Sequence, residues 1–331
     1  MPGTIILTGA NGSAAVHTVR YVLQHHIDKH LVLTVRNPSG EDANTSALKA
    51  TVDEFQGAKV SIRKLDLASL AEVNSFAKTL ADEVSRGELP PLESIICNAF
   101  YWNLTTPLET TADGFEKTFQ VNHIAHAALV LNLLGSFSPS GGRVVLFTSD
   151  AHWSGKNGLE KIPPAIPADP QELAKPGPDV PENPMAKGFY RYAVSKLAIL
   201  MWTYALNRHL EAHSEFAHIT AVALNPGNLS DSRALRVNTP ALLRVLSTLV
   251  IRPLRPLLKL TDPTMRTSKE AGVDIAKLGL NEASPGVRGF FTMLKEDTSS
   301  PDSLDQKVQE TLWAKTLEWT AVDQKTVKIP A

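Results

Sequence analysis

The chain has 331 residues, of which 43% are hydrophobic and 20% are charged, and its formal net charge at pH 7 is −1. This composition is typical of a globular α/β protein with enough apolar material for one large core, and it excludes a chain that is disordered throughout. No extended cluster of Lys and Arg is present, so we predict that the protein does not bind nucleic acid.

The N-terminal residues run directly into an apolar segment and lack the features of a signal peptide. No stretch of roughly 18 uncharged apolar residues is present that could span a membrane. The single cysteine, Cys97, has no partner for a disulfide bond, as is usual in a reducing compartment. We therefore expect a cytoplasmic protein. The histidines show no spacing typical of a metal site, so we predict no bound metal.

Seven short apolar runs recur along the chain, with helical segments between them. They are residues 4–8, 31–35, 59–65, 94–97, 143–148, 219–224 and 289–293. Because the runs are nearly all apolar instead of alternating, they predict strands that are buried on both faces, as in a parallel sheet. Helices must then cover both faces. We predict a single domain over residues 1–331, with the α/β architecture of a doubly wound (Rossmann-type), seven-stranded parallel sheet.

The first predicted strand continues through a glycine turn into a helix. Such a turn presents free backbone N–H groups to an anion, so it is a candidate site for the pyrophosphate of a dinucleotide. The candidate residues are Thr8, Gly9, Asn11, Gly12, Ser13 and Ala14. The usual three-glycine pattern would also place glycines at the positions of Ser13 and Ala15, whereas Gly12 is an extra one. A structural turn without a ligand is the alternative interpretation.

Residues after the next three strands suggest the same ligand. Arg36 follows the second strand, where an arginine suits a ribose 2′-phosphate, so we favour NADP(H) over NAD(H) as the cofactor. A solvated loop arginine is the alternative. Asp66 and Leu67 follow the third strand, where the carboxylate can accept from the adenine amino group or cap a helix. Asn98 and Ala99 follow the fourth, where the asparagine can tie adjacent strand ends together beside the ribose.

Residues 153–188 contain eight prolines, a density that forbids a regular helix or a central strand. We predict a long insertion, which is either a functional cover or disordered. Directly after it, Tyr192 and Lys196 lie four residues apart in a helical segment and therefore share one helix face. A free tyrosine has a pKa of about 10, so acid–base work near neutrality needs a nearby positive charge, which Lys196 provides.

Residues 240–260 are rich in Leu with interleaved Arg and Lys. Three interpretations are open: a helix packed on the domain, a substrate lid, and an amphipathic helix on a membrane surface. Residues 301–320 predict a C-terminal amphipathic helix that carries Trp313 and Trp319.

Taken together, these features resemble the short-chain dehydrogenase/reductase family. The matching positions are Thr8-Gly9, Asp66, Asn98-Ala99, Asn122, Ser149, Tyr192-x-x-x-Lys196 and Pro226-Gly227. The details Asp113-Gly114-Phe115-Glu116 and Ser149-Asp150-Ala151-His152 are similar to the branch that contains retinol dehydrogenases and related fungal reductases. The resemblance covers roughly residues 4–295.

The resemblance implies that Tyr192 protonates a carbonyl oxygen while a nicotinamide delivers hydride to the carbon. Ser149 would hydrogen-bond that oxygen as charge develops on it. Lys196 would lower the pKa of Tyr192 and hold the nicotinamide ribose, and Asn122 would position a water in a proton relay behind Lys196. A strand-end hydroxyl is the alternative for Ser149, and a helix-kinking residue is the alternative for Asn122.

The resemblance also places a turn over the nicotinamide, where Pro226, Gly227 and Leu229 would contact the cofactor. The threonine usual in this turn is absent, and Asp231 stands in its place. Both Ser230 and Ser232 remain as candidates to replace it.

The sequence therefore predicts an NADP-dependent oxidoreductase that acts on a carbonyl or alcohol group of a largely apolar small molecule. One alternative is a cofactor-binding regulator without turnover, favoured by Ser13, Ala15 and the missing threonine. Sugar-nucleotide epimerisation or dehydration is a third option, but the sequence carries no C-terminal domain suited to such a substrate. Homodimer formation and peripheral membrane contact both stay open.

Overall fold

Apolar runs of the chain form the strands, as their burial on both faces requires; every residue of the first and fifth strands is buried. The computed structural model describes residues 2–180 and 182–322. The strands are β1 (Thr4–Thr8), β2 (His30–Val35), β3 (Lys59–Lys64), β4 (Leu92–Cys97), β5 (Gly142–Phe147), β6 (Ile219–Asn225), β7 (Asn228–Leu229), β8 (Met265–Arg266), β9 (Gly289–Thr292) and β10 (Lys295–Glu296).

The main sheet has eight strands in the order β10-β9-β6-β5-β4-β1-β2-β3, and β7 pairs with β8 in a separate sheet of two strands. All strands from β3 to β9 along this order are parallel, which confirms the predicted doubly wound sheet. The predicted number of seven was one too low, because β10 adds an antiparallel edge. The turn before β10 has a positive φ at Met293, where a glycine or asparagine would have given the usual sequence signal of a hairpin.

Helices cover both faces of the sheet. They are α1 (Ala15–His25), α2 (Ala43–Asp53), α3 (Leu70–Ser85), α4 (Lys117–Phe119), α5 (Ala125–Leu133), α6 (Gln171–Ala174), α7 (Pro184–Ala212), α8 (Ala241–Leu246), α9 (Arg252–Leu258), α10 (Ser268–Gly279) and α11 (Gln306–Thr320). One hydrophobic core joins α1 and α10 to one sheet face, and a second joins α3, α5 and α7 to the other. A π-helical turn, Gln120–Ile124, connects α4 to α5, and another, Ser247–Ile251, connects α8 to α9.

The proline-rich insertion, 153–188, is described except for Pro181. It contains α6, whose Leu173 and Ala174 are buried. The indole N–H of Trp319 on α11 donates to Gln171 Oε1 at 2.7 Å, and the N–H of Glu116 donates to the carbonyl of Ala174 at 2.7 Å. The insertion is thus fastened to two other parts of the molecule.

The segment 240–260 forms α8, the π-helical turn and α9. Ser247 is the only fully buried residue in these three elements, whereas Leu243 is half-buried and packs against the cluster that contains Tyr192. Most of the other leucines are exposed. The three interpretations of this segment stay predictions. Within the described residues, no helix combines the length and apolar character that crossing a membrane requires.

Candidate active site

A cleft of about 1450 Å³ lies at the carboxyl ends of the central strands. The strand order reverses between β1 and β4, and this switch point is where ligands bind in open α/β sheets. Most candidate residues line the cleft, namely Gly9, Asn11, Gly12, Ser13, Ala14, Arg36, Asp66, Leu67, Asn98, Ala99, Ser149, Tyr192, Lys196, Pro226, Gly227 and Leu229. The other two, Thr8 and Asn122, are buried and do not line it.

The turn after β1 depends on two glycines. Gly9 has a φ of +60°, and a Cβ there would lie 2.9 Å from the Cα of Ala99. A Cβ on Gly12 would lie 2.9 Å from the carbonyl oxygen of Gly9. Ala15, at one of the atypical positions, is fully buried at the start of α1, so the helix accommodates its methyl group. The backbone of this turn therefore packs closely against Ala99, although the usual glycines are missing at Ser13 and Ala15.

Asn98 ties the ends of β1 and β4 together. Its Nδ2 donates to the carbonyl oxygens of Thr8 and Gly9, at 3.0 and 3.2 Å. The Thr8 hydroxyl accepts from the N–H of Ala99 at 3.0 Å and lies 3.1 Å from Nε2 of His126. Burial, followed by the charge of Lys196, lowers the pKa of His126 to about 3, so this histidine is neutral and can accept the Thr8 proton.

Arg36 and Asp66, the candidate residues for the adenosine end of a cofactor, differ in their hydrogen bonds. Arg36 is exposed at the end of β2, and its guanidinium makes no hydrogen bond or ion pair with the described residues. Asp66 accepts a hydrogen bond on Oδ1 from the N–H of Ala68 at 2.9 Å, whereas the cap of α3 is Ser69. Arg36 is therefore free to bind an anion.

Sequence reasoning missed Arg233. Its Nη2 donates to the carbonyl of Asn11 at 2.5 Å, and its backbone N–H donates to Oγ of Ser13 at 3.1 Å. Burial lowers the pKa of Arg233, and the charge of Asp42 opposes this shift. A cation therefore supports the β1 turn at one of its atypical positions. Because the two segments are far apart in sequence, no local pattern could have revealed the contact.

Tyr192 and Lys196 face the cleft from α7, which begins after an Asn183 cap and Pro184 in its first turn. Nζ of Lys196 donates to the carbonyl of Phe147 at 2.9 Å and lies 5.5 Å from the centre of the Tyr192 ring. Burial lowers the pKa of Lys196 to about 7. Burial also raises the pKa of Tyr192 to about 12, against the effect of a hydrogen bond with Ser149. Both groups are therefore shifted toward their neutral forms.

Ser149 is connected to the insertion through Asp150, which sequence reasoning did not assign to the site. The Ser149 hydroxyl donates to Oδ1 of Asp150 at 2.8 Å, and Nδ2 of Asn157 donates to the same oxygen at 3.1 Å. Asn157 lies in the insertion and lines the cleft together with Leu159. The insertion therefore reaches the hydroxyl that was predicted to contact the substrate.

Asn122 lies in the π-helical turn between α4 and α5. Its Oδ1 accepts from the N–H of Tyr101 at 2.7 Å, and its Nδ2 donates to the Tyr101 carbonyl and to Oγ of Ser195, both at 2.9 Å. The Ser195 hydroxyl donates in turn to the carbonyl of Tyr192 at 2.7 Å. The side chain of Asn122 thus joins the segment after β4 to α7.

The turn after β6 requires Gly227, whose φ is +81° and where a Cβ would lie 2.6 Å from the carbonyl of Thr264. Oδ1 of Asp231 accepts from both N and Oγ of Ser268, each at 2.7 Å, so this carboxylate is engaged at the start of α10. Ser230 is buried and donates to the carbonyl of Arg266 at 3.2 Å. Ser232 lines the cleft and accepts from the N–H of Ala234 at 3.2 Å, so its own proton is free to donate.

An aromatic wall surrounds Tyr192. The ring centres of Phe100, Trp102 and Phe189 lie 6.3, 5.3 and 6.0 Å from that of Tyr192. Leu159 packs against the same cluster from the insertion. The aromatic run Phe100-Tyr101-Trp102, which follows Asn98-Ala99, was a sequence signal for this wall, although its position beside Tyr192 required the fold.

Two family models match the chain. The model described as the KR domain matches residues 3–160, and the model described as the AcuH dehydrogenase domain matches residues 233–328. The first match covers the β1 turn and Ser149, and the second covers the segment from Arg233 to the C-terminal helix.

Individual relatives that match the chain are also dehydrogenases by name. The short-chain dehydrogenase iccH of Talaromyces variabilis is 27% identical over 97% of this chain and 96% of its own length. The dehydrogenase acuH of Aspergillus aculeatus is 48% identical over 27% of this chain and 91% of its own length. Retinol dehydrogenase 14 of Mus musculus is 27% identical over 94% of this chain and 83% of its own length.

Among solved structures, an NADPH-bound carbonyl reductase from chicken fatty liver matches with a TM-score of 0.58 and 18% identity. The match covers 90% of this chain and 100% of that chain. At this identity the likeness concerns the fold, and it agrees with the doubly wound sheet described above. The family models and the relatives that span nearly the whole chain show that the chain belongs to the short-chain dehydrogenase/reductase family of oxidoreductases, with fungal dehydrogenases and a retinol dehydrogenase among its relatives.

Proposed function

We propose that the protein is an NADPH-dependent oxidoreductase that reduces a carbonyl group of a largely apolar small molecule or oxidises the corresponding alcohol. The observation that carries this proposal is that Tyr192, Lys196 and Ser149 all line one cleft at the carboxyl ends of the strands. A phenol, an ammonium and a hydroxyl at this location suit proton transfer to a carbonyl oxygen.

The residues around the cleft fit NADP(H). The close approach at Gly9 and Gly12 leaves backbone N–H groups for a pyrophosphate, and Ser13 and Arg233 add a hydroxyl and a cation. Arg36 has no competing partner among the described residues and suits a 2′-phosphate. The remaining proposed contacts are made by Thr8, Asn11, Ala14, Asp66, Leu67, Asn98, Ala99, Tyr192, Lys196, Pro226, Gly227 and Leu229. The structural relative from chicken fatty liver is NADPH-bound. Bound NADPH supplies a hydride for the carbonyl carbon.

Tyr192 is the proposed proton donor. Because burial raises its pKa to about 12, its hydroxyl keeps the proton at neutral pH and can give it to a carbonyl oxygen that gains negative charge. The hydroxyl of Ser149 can turn from Asp150 to the same oxygen and donate a second hydrogen bond. Lys196 is proposed to stabilise the phenolate that remains and to bind the ribose. Its pKa of about 7 lets it take up or release a proton near neutrality.

Asn122 is a positioning residue in this proposal, since its side chain holds α7 through Ser195. The water that the family resemblance places behind Lys196 stays a prediction. Ser232 is the stronger candidate for the missing threonine, because Ser230 already donates its proton to Arg266.

The substrate is proposed to be bulky and apolar. The aromatic wall at Phe100, Trp102 and Phe189 and the contact from Leu159 give the region around Tyr192 an apolar lining. Such a lining favours hydrophobic carbonyl compounds over small polar ones.

The test is NADPH consumption by the purified protein with a panel of hydrophobic aldehydes and ketones, with NADH in parallel. Tyr192→Phe should lower kcat by at least about a thousandfold while leaving NADPH affinity within about threefold. Cofactor binding is measured separately by the rise in melting temperature. A wild type that binds NADPH but turns over no member of a broad panel favours the regulator alternative, and so does a cellular function that Tyr192→Phe leaves unchanged. Turnover that Tyr192→Phe leaves unchanged would contradict the proposed role of Tyr192.

A homodimer and a cytoplasmic location are separate proposals that rest on the family resemblance and on the unpaired Cys97. Light scattering of the purified protein and fractionation of the source cells test them independently of activity.

A further inference from the structure

The molecule exposes an unusual amount of apolar surface in one place. Among the described residues, nine of the thirteen exposed large hydrophobic side chains lie between residues 237 and 260. Leu242, Leu249 and Leu260 are 77%, 69% and 81% exposed. Isolated exposed leucines are ordinary, but a contiguous set marks a contact surface. We call residues 237–260 the amphipathic segment.

The apolar side chains of this segment lie on one helical face. Exposed apolar residues recur every three or four positions, at Leu242, Leu246, Leu249, Pro253, Leu257 and Leu260. This spacing forms a continuous stripe along α8, the π-helical turn and α9. Their exposure directs the stripe away from the protein.

The opposite face of the same segment borders the cleft. Leu243 packs against the cluster that contains Tyr192, and Ile251 lines the cleft. Ser247, between them, is buried. One helical segment therefore separates the proposed substrate site from an outward apolar stripe.

The charges of the segment have a single sign. No Asp or Glu occurs between Asp231 and Asp262, whereas six Arg and Lys residues do, although the whole chain has a net charge of −1. The side chains of Arg244 and Arg252 are exposed and have no hydrogen-bond or ion-pair partner among the described residues. Arg255 and Lys259 share Glu270 at 3.4 and 3.9 Å.

We propose that the amphipathic segment docks on the surface of a phospholipid bilayer that carries anionic headgroups, and that the substrate enters the cleft from that bilayer. An apolar stripe with flanking cations is the combination that inserts among acyl chains while binding phosphates. A second copy of this chain fits less well, because a two-fold contact through the stripe would bring two sets of unpaired arginines together. The entry of a lipophilic substrate rests on the proposed function, whereas the docking does not.

The test uses the full-length protein in flotation assays with two kinds of vesicle, phosphatidylcholine alone and phosphatidylcholine mixed with phosphatidylserine. We expect at least about tenfold stronger binding to the anionic vesicles, and we expect added salt to weaken it. The double variant Leu242→Gln/Leu249→Gln should weaken binding to both vesicles by at least about tenfold, since it removes inserted apolar surface. The double variant Arg244→Gln/Arg252→Gln should remove most of the preference for anionic vesicles.

The matched control is Ile27→Gln/Leu304→Gln, which replaces two exposed hydrophobic residues outside the segment and should bind like the wild type. Failure of the wild type to float with either vesicle overturns the proposal, and so does equal loss of binding in the control variant. Light scattering is run in parallel to measure the oligomeric state. The proposal is also overturned if the wild type is a dimer that binds no vesicles and Leu242→Gln/Leu249→Gln converts it to a monomer. Flotation requires no turnover, so an inactive protein that binds vesicles would contradict the proposed function alone.

Discussion

Nη1 of Arg191 donates to both carboxylate oxygens of Asp179, at 2.8 and 2.9 Å. Both side chains are only 9% exposed. Arg191 directly precedes Tyr192 on α7, while Asp179 belongs to the insertion. A buried ion pair therefore joins the insertion to the helix that carries the proposed proton donor, with Glu116 3.7 Å from the same guanidinium.

Breaking this pair should destabilise the protein. Asp179→Asn removes one partner and leaves Arg191 buried beside Glu116 alone, so we expect the free energy of unfolding to fall by about 2 to 4 kcal/mol. Urea unfolding followed by circular dichroism measures the change. Glu88→Gln is the matched control, because it breaks an ion pair with Arg86 in which both side chains are exposed. This substitution should not measurably change the free energy of unfolding. Equal behaviour of the two variants would show that the insertion is not held by Asp179.

Arg36 should determine the preference for NADPH. Arg36→Ala removes the guanidinium proposed to bind the 2′-phosphate, so the Kd for NADPH should rise by about tenfold to a hundredfold. The Kd for NADH should change by less than about twofold, because that cofactor lacks the phosphate. Fluorescence titration measures both constants, with Arg86→Ala as the control. A parallel loss of affinity for both cofactors would place Arg36 elsewhere in the binding site.

Arg233 should affect both cofactors alike. Arg233→Ala removes the cation and the hydrogen bond to Asn11 that support the β1 turn, so we expect the Kd values for NADPH and NADH to rise by about tenfold each. The neighbouring Arg236→Ala is the control, since Arg236 is exposed and does not contact that turn. If Arg233→Ala leaves both Kd values unchanged, Arg233 has a structural role in its loop and does not contribute to cofactor binding.

The two reaction directions should respond differently to pH. Because burial raises the pKa of Tyr192 to about 12, the proton donor for reduction is present throughout the neutral range. Oxidation requires the phenolate, so its kcat should rise by up to about tenfold per pH unit between neutrality and the pKa reached with cofactor bound. Parallel kcat profiles for one alcohol–carbonyl pair test this. An oxidation rate that is flat above pH 7 would indicate that Tyr192 ionises more easily than its burial suggests.

Removing the ammonium of Lys196 should stabilise the protein without cofactor. The pKa of Lys196 falls from 10.5 to about 7 on folding, so between these values the unfolded chain binds more protons and wild-type stability rises with pH. At and below pH 7 the full penalty for burying the charge is present. Lys196→Met should therefore raise stability by about a few kcal/mol near pH 6, less the lost hydrogen bond to Phe147, and the gain should disappear toward pH 10.5.

Melting curves over this pH range measure the effect. Lys78→Met on the exposed face of α3 is the control and should show no such trend. A Lys196→Met variant less stable than the wild type at pH 6 would contradict the proposed burial of the charge.

The apolar pattern of the sequence was sufficient for the parallel sheet. The bounds of each predicted strand lie within two residues of an observed one, because most strands of the sheet are buried on both faces and are therefore nearly all apolar. The edge strand β3 is the exception, with charged residues and partial exposure. The strand β10 could not be predicted, since it has two polar residues and follows a turn with a methionine at positive φ. The π-helical turn at Ser247 was equally hidden, as α- and π-helical segments use the same residue types.

Much of the candidate site was predictable for a topological reason. Residues that directly follow parallel strands meet at one edge of the sheet, which brings Asn98 and Ser149 to the same cleft. Contacts made by long connections were not predictable in this way. Arg233 reaches the β1 turn from a distant loop, and Asn157 donates to Asp150 from the irregular first residues of the insertion.

The attachment of the insertion also bears on how such proteins diversify. Its hydrogen bonds and ion pair go to Trp319, Glu116, Arg191 and Asp150, whereas the residues proposed to bind the pyrophosphate lie on the turn after β1. We therefore expect that evolution can exchange the insertion while the turn after β1 is inherited unchanged. If the insertion shapes substrate access as proposed, grafting residues 153–188 between relatives should transfer selectivity, provided that the recipient has an arginine directly before the tyrosine equivalent to Tyr192.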